Sequence, residues 1–253
     1  MDQPYLLSEA QMPRIEPFFP LPHGIPRVDD RLIVSAIIFV IKNGLRWRGA
    51  PRSCGPHKTI YNRFIRWSRL GVFNRIFVEL AGQAGEPDRI MIDAAHLKAH
   101  RTAASLLKGG ALPRCIGRTK GGLNSKLHAV CDGEGRPIMM MLTEGQRSDH
   151  KGAFLLFDAL PNAKELLGDK GYDSDWFRAG LTARGITPCI PPKANRKVQY
   201  CYDKTTYKKR HLVENLFAKI KDWRRIHTHY DRCAHAFMSA ICIAATVIFW
   251  LNQ

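Results

Sequence analysis

The sequence predicts an α/β fold in which a mixed sheet covered by helices follows a purely helical N-terminal part. Up to Gly82 the apolar residues recur at helical spacing. After "QAGEPD" (Gln83 to Asp88) the pattern changes to short apolar runs alternating with helical stretches. The charge balance bears on partners: 39 Lys and Arg against 22 Asp and Glu give a net +17 over 253 residues. With 45% hydrophobic and 24% charged residues the composition is that of a globular protein, and the excess of positive charge points to a polyanion, most commonly nucleic acid.

In order along the chain, "VDDRLIVSAIIFVIKNG" has Asp29 and Asp30 at a helix start and Asn43-Gly44 as its stop. The Gly- and Pro-containing connector "LRWRGAPRSCGP" follows. In "HKTIYNRFIRWSRLG", Ile60, Phe64 and Trp67 share one stripe while Asn62, Arg66 and Arg69 lie nearly opposite. Together with Arg63 these make a basic surface, so this helix is expected to enter or border a DNA groove; the plainer alternative is a solvated face. "VFNRIFVELAG" supplies a third helix. Beyond the linker, "RIMIDAAHL" reads as a buried strand, and "GGLNSKLHAVCDGEGRPIMMMLT" as two strands joined at Asp132-Gly133. A helix is expected over "HKGAFLLFDAL", a strand over "AKELLGDKGYD" ending at Asp169, a helix over "DSDWFRAGLTARG", an edge strand over "ITPCIPP", and two helices over the last fifty residues. The domains expected are 1–86, helical, and 87–253, α/β.

Some classes are disfavoured. Seven cysteines without CxxC pairs suggest neither a disulfide framework nor a zinc ribbon, and favour a reducing compartment. Arg31 to Ile41 is too short to span a membrane. Ala234 to Asn252 barely reaches that length and carries His235, Ser239 and Thr246, so both read as core helices. The N-terminal stretch lacks the pattern of a signal peptide.

Three acids stand out by position. Asp93 lies inside an apolar strand, Asp169 ends another, and Glu214 sits between Val213 and Leu216 on a helix. Carboxylates in such surroundings need partners, and hard divalent cations are bound by such oxygen donors. Around Glu214, "YKKRHLVENLFAKIKDWRR" carries seven Lys and Arg. At ~100° per residue, Tyr207, Arg210 and Lys221 fall within about 40° of Glu214 on one helix face. Taken alone, Arg210 and Glu214 read as an i,i+4 surface pair worth ~0.3 to 0.5 kcal/mol, and Asp169 as a turn residue. From Lys193 to Arg232 there are twelve Lys and Arg and four acids. Phosphate contacts are therefore expected from Lys193, Arg196 and Lys197.

"YKKRHLVENLFAKIK" also fits the signature Y-x2-R-x3-E-x6-K of the DDE transposases of bacterial insertion sequences, at Tyr207, Arg210, Glu214 and Lys221. "IDAAHLKAHRTAAS" and "LLGDKGYDSDWF" resemble the segments that hold that family's two aspartates. "LIVSAIIFVIKNGLRWRGAP" resembles the N-terminal region of the insertion sequence five family, within the four/five superfamily. The resemblance extends over nearly the whole chain; Ala94 departs from the small polar or glycine residue that many relatives carry after the first aspartate.

The resemblance implies a ribonuclease-H-like core preceded by a small helix-turn-helix-like DNA-binding domain. It implies a transposase that binds terminal inverted repeats, cleaves there with two Mg²⁺ ions, for which Mn²⁺ can substitute, and joins the ends to target DNA. Asp93, Asp169 and Glu214 would be the ligands, Arg210 and Lys221 would contact phosphates, and Tyr207 would orient them. A homodimer at synapsis and a bacterial, nucleoid-associated cytoplasmic location follow from the same likeness. Two other readings stay open: a DNA-binding regulator with a spent catalytic core, and a stand-alone nuclease, which leaves the basic N-terminal helices without a purpose.

Overall fold

The computed structural model describes residues 6–21, 24, 27–105 and 114–251. The first five residues of the N-terminal stretch, and Asn252 of the C-terminal apolar run, lie outside them. In chain order the first elements are helices α1 (Asp30–Asn43), α2 (His57–Arg69) and α3 (Val72–Gly82), strand β1 (Arg89–Ala99) and the single turn α4 (Arg101–Ala104). Next come β2 (Gly117–Thr119), β3 (Gly122–Asp132), β4 (Pro137–Glu144), α5 (Asp149–Leu156), β5 (Glu165–Leu167), α6 (Asp175–Ala183) and β6 (Thr187–Cys189). The chain ends with α7 (Lys204–Tyr207), α8 (His211–Lys221), α9 (Arg224–His227), β7 (Thr228–His229) and α10 (Ala234–Ala245). No helix among the described residues is long and apolar enough to cross a membrane.

The residues group into two compact units. One comprises Met1–Leu80, Ala99–Arg114 and Ile220–Gln253; the other comprises Ala81–Lys98 and Cys115–Lys219. The first unit draws on three separate stretches of chain, and the reason is visible in α10. Nine of its residues are buried, so an apolar surface on every side must be covered, and α1 and α2 pack against it.

In the first unit, Asp29 caps α1 by accepting from the Arg31 N–H at 2.7 Å, and Gly44 ends the helix in the left-handed region at φ 65°. A Cβ on Gly44 would stand 2.8 Å from that of Arg224, so the end of α1 and the start of α9 meet where only glycine fits. Ile33, Ile37 and Ile41 of α1, Ile60, Phe64 and Trp67 of α2, and Phe237 and Ile241 of α10 make its core.

In the second unit the sheet runs β2-β3-β1-β5-β6, with β4 also paired to β3. β3 is antiparallel to β1 and β4, while β5 is parallel to β1 and β6. This is the mixed sheet that the sequence predicts, in the ribonuclease-H-like arrangement that the resemblance implies. The expected Asp132-Gly133 turn is present, fastened by the Asp132 carboxylate, which accepts from the N–H groups of Glu134 and Arg136 at 3.0 and 2.9 Å. Ile90 and Ile92 of β1 join Val130, Leu166, Phe177 and Leu181 in one buried cluster, which α5 and α6 cover. Strand alternation turns Met91 and Asp93 to the other face.

Two local expectations are corrected. The last fifty residues are not simply two helices: α8 is preceded by the turn α7 and a 3-10 segment, Lys208–Arg210, and followed by α9 and β7. Strand β5 stops at Leu167, because Gly168 and the tight turn after it break the ladder before Asp169.

Candidate active site

Register places the two aspartates. β1 and β5 are parallel with Met91 opposite Leu167. Two residues further on each segment stand Asp93 and Asp169, side by side past the end of the β5 ladder. Asp93 Oδ1 accepts from the Ala94 N–H at 2.8 Å. Asp169 begins the 3-10 turn Lys170–Tyr172, its Oδ1 accepting from the Gly171 N–H at 2.8 Å. The turn-residue reading and the ligand reading of Asp169 are thus compatible, since one oxygen caps the turn and leaves the other for a second partner.

The third acid is tied to the first through a cation. Arg210 donates from Nη1 to Asp93 Oδ2 at 2.7 Å and from Nη2 to Glu214 Oε1 at 2.5 Å. The helix break alters the expected stripe, because residues in the 3-10 segment step further around the axis than α-helical ones. Arg210 reaches over β1 with one nitrogen and along the helix with the other. A glycine makes room for this: a Cβ on Gly135, φ 80°, would stand 3.0 Å from the Leu212 carbonyl, so the β3–β4 turn presses directly on α8 next to Glu214.

The electrostatics follow from burial. Asp93 titrates above the usual carboxylate range, chiefly because burial penalises its charge; the Ala94 N–H and Arg210 pull it down, and Asp169 pushes it up. Tyr207, which the signature includes, titrates above the usual phenol, first through burial, with Arg210 and Asp169 close enough to act on it in opposite directions.

Sequence reasoning missed a set of residues around these carboxylates. Tyr172, almost fully buried, has a hydroxyl without a hydrogen-bond partner in the structure, and Asp149, Asp93 and Asp169 all raise its pKa after burial itself. Asp149 opens α5 and pairs with the buried Lys126 at 2.7 Å. A Cβ on Gly171 would lie 3.5 Å from Asp149 Oδ2, which brings this fourth acid up to the turn of Asp169. Beside Lys126, His128 is held down to about 4 by burial and then by that ammonium group. The available signal was the polar content of "LNSKLHAV" in a strand otherwise buried on both faces.

The expected DNA contacts divide. Arg63 is ion-paired with Asp30 and lies over Trp67 at 5.3 Å, so it serves the fold of α2; Arg66 and Arg69 are exposed. Arg196 donates to Asp173 and Asp175 at 2.6 Å each, and the Lys193 backbone N–H bonds Asp173 at 2.7 Å. Lys197 is exposed, and Lys221 ends α8 within the other compact unit.

Among the described residues no three His, Cys, Asp or Glu side chains converge closely enough to hold an ion. The donor chemistry nevertheless suits one: Asp93 and Asp169 are neighbouring oxygen donors, and Glu214, 56% exposed in its side chain, is joined to Asp93 through Arg210. Arg210 supplies the positive charge between Asp93 and Glu214 that a divalent cation would supply in its place.

Residues 84–250 match the family described as "Transposase DDE domain", and residues 7–77 match a family of transposases of the IS4/5 type. The protein named as the transposase for insertion sequence element IS6501 of Brucella ovis is 32% identical over 131 residues, 51% of this chain and 100% of that one. The protein so named for IS402 of Burkholderia cepacia is 28% identical over 192 residues, 72% of this chain and 86% of that one. Among solved structures, the piggyBac transposase synaptic complex with hairpin DNA superposes with a TM-score of 0.51 at 11% identity, covering 86% of this chain and 64% of that one. At that identity the likeness is one of fold.

Proposed function

This chain belongs to the DDE transposases, and from that premise we propose that it is an active DNA transposase in which Asp93, Asp169 and Glu214 form the catalytic group. The observation that carries the proposal is the β1–β5 register, which supports a shared role for Asp93 and Asp169. Two Mg²⁺ ions bound there would activate the attacking oxygen and stabilise the leaving oxygen of a phosphodiester. Until then Arg210 neutralises Asp93 and Glu214; once released, its guanidinium is placed to bind the phosphate of the scissile strand. Tyr207, next to Arg210 and Asp169, fixes the direction in which that guanidinium turns.

Further contacts extend along the DNA. Lys221, Lys193 and Lys197 hold the backbone of the terminal inverted repeat and the target. Residues 1–86, through Arg66 and Arg69, recognise the terminal repeat, and 87–253 carry the chemistry. Two copies act together at synapsis, on the bacterial nucleoid in the cytoplasm.

The test is cleavage of a linear DNA carrying the native ends, with Mg²⁺, by Asp93→Asn, Asp169→Asn and Glu214→Gln. Each is expected to lose activity by on the order of a thousandfold or more, double variants being little worse than singles, because the three act as one unit. Binding of the terminal DNA should persist. Wild-type rates in a folded Glu214→Gln protein would overturn the assignment and favour the regulator.

A further inference from the structure

Away from the carboxylates, the first unit contains an open groove of about 640 Å³ between α2 and the chain that runs from Tyr230 into α10. Two tyrosines in its walls are half exposed, Tyr61 at 42% and Tyr230 at 49%. Each is braced from within the unit. Trp47 lies against Tyr61 with ring centroids 5.5 Å apart, and His100 lies against Tyr230 at 4.5 Å.

The charge of the groove is one-sided. Asp231, the one acid among its lining residues, is clamped by the buried Arg225 through bonds of 2.8 and 3.2 Å, so its charge is answered inside the wall. Arg225 also lies 5.2 Å from the Trp47 ring, which holds the aromatic floor in place. Arg48, Lys58, Arg69 and Arg232 line the rim and are exposed. The potential reaches inward: His235 titrates below the usual imidazole through burial and then through the nearby Arg69.

Cations alone would suit the outside of a duplex. Exposed rings beside them suit something more particular, because bases inside a duplex are stacked on each other and cannot lie on a side chain. Unpaired bases can, and a groove joining backbone cations to aromatic platforms is the arrangement that holds them.

We propose that this groove receives an unpaired stretch of DNA strand, one base against Tyr61, another against Tyr230, and the phosphates on Arg48, Lys58 and Arg232. The assignment deepens the transposase reading and rests on it, since cutting the two strands at offset positions leaves an unpaired end.

The experiment compares a blunt terminal duplex with the same duplex bearing a short single-stranded tail, by fluorescence anisotropy on the full chain in EDTA. The wild type should bind the tailed DNA about tenfold tighter, the scale of one base stacked on an aromatic ring. Tyr61→Ala with Tyr230→Ala should erase that preference and leave blunt-duplex affinity within about twofold; the corresponding Phe double variant should keep it, since the rings remain. For a readout independent of variant folding, 2-aminopurine in the tail should lose fluorescence on binding the wild type. No tail preference in the wild type, a preference that survives both alanines in folded protein, or an unquenched tail would each overturn the proposal. Equal loss of blunt and tailed binding in Lys58→Glu with Arg232→Glu would assign the groove to duplex phosphates and overturn it as well. Failure of the catalytic assignment is read elsewhere, as cleavage retained by the carboxylate variants, none of which lies in this groove.

Discussion

Arg210 donates to Asp93 at 2.7 Å across 117 positions of sequence, and the same guanidinium holds Glu214. In Arg210→Gln, Asp93 loses its counter-charge and its pKa rises further. A divalent ion would then no longer compete with a guanidinium. Mn²⁺ affinity at neutral pH, measured by isothermal titration calorimetry, is expected to tighten roughly tenfold while DNA cleavage falls. Unchanged affinity would place the ion and the guanidinium apart.

Tyr172 buries a hydroxyl that finds no partner in the structure. Leaving such a group unmade costs about 1–3 kcal/mol, so Tyr172→Phe should hold or raise stability by up to about that much in metal-free protein. The urea midpoint should move upward with no change in slope. A clear drop would show that the hydroxyl is engaged in solution.

Asp173, whose side chain is completely buried, takes hydrogen bonds from Arg178 at 2.7 Å, Arg196 at 2.6 Å and the Lys193 backbone. Asp173→Ala leaves the buried Arg178 uncompensated and should cost ~3–5 kcal/mol. The salt dependence of DNA binding is therefore best probed with Lys193→Ala and Lys197→Ala, which spare the Arg196 clamp. Each phosphate no longer neutralised should flatten the log–log slope by ~0.9, and an unaltered slope would mean that the loop faces solvent.

Acid should weaken the fold through two histidines. His128 and His229 are fully buried, and burial holds both down to about 4, against 6.5 when exposed. Between those values the unfolded chain takes up protons that the folded chain refuses. Their stabilisation is complete above pH 6.5 and is lost as the pH falls toward 4, by on the order of 3 kcal/mol each. Denaturant unfolding followed from about pH 7 to 4 should show that decline; a flat profile would contradict neutral burial.

What could be read in advance was local. Asp29 and Gly44 mark the ends of α1, Asp132-Gly133 marks the hairpin, and three acids stand in places where carboxylates are uncommon. What could not be read depends on partners distant in sequence. Nothing in the period of α2 tells that Arg63 is claimed by Asp30, nor in the basic loop that Arg196 is claimed by Asp173. The step from α7 to α8 is likewise invisible to helical periodicity, because a 3-10 turn differs from an α turn in hydrogen bonding and not in composition.

The placement of α10 beside α1 and α2 has a consequence for biosynthesis. A ribosome delivers Ile33, Phe64 and Trp67 before the second unit, and the helix that covers them only after it. The second unit, Ala81–Lys98 and Cys115–Lys219, can condense before α10 has been made to cover α1 and α2. Chains cut short before α10 should therefore leave the ribosome with apolar N-terminal helices uncovered, and be cleared by proteases before they meet DNA.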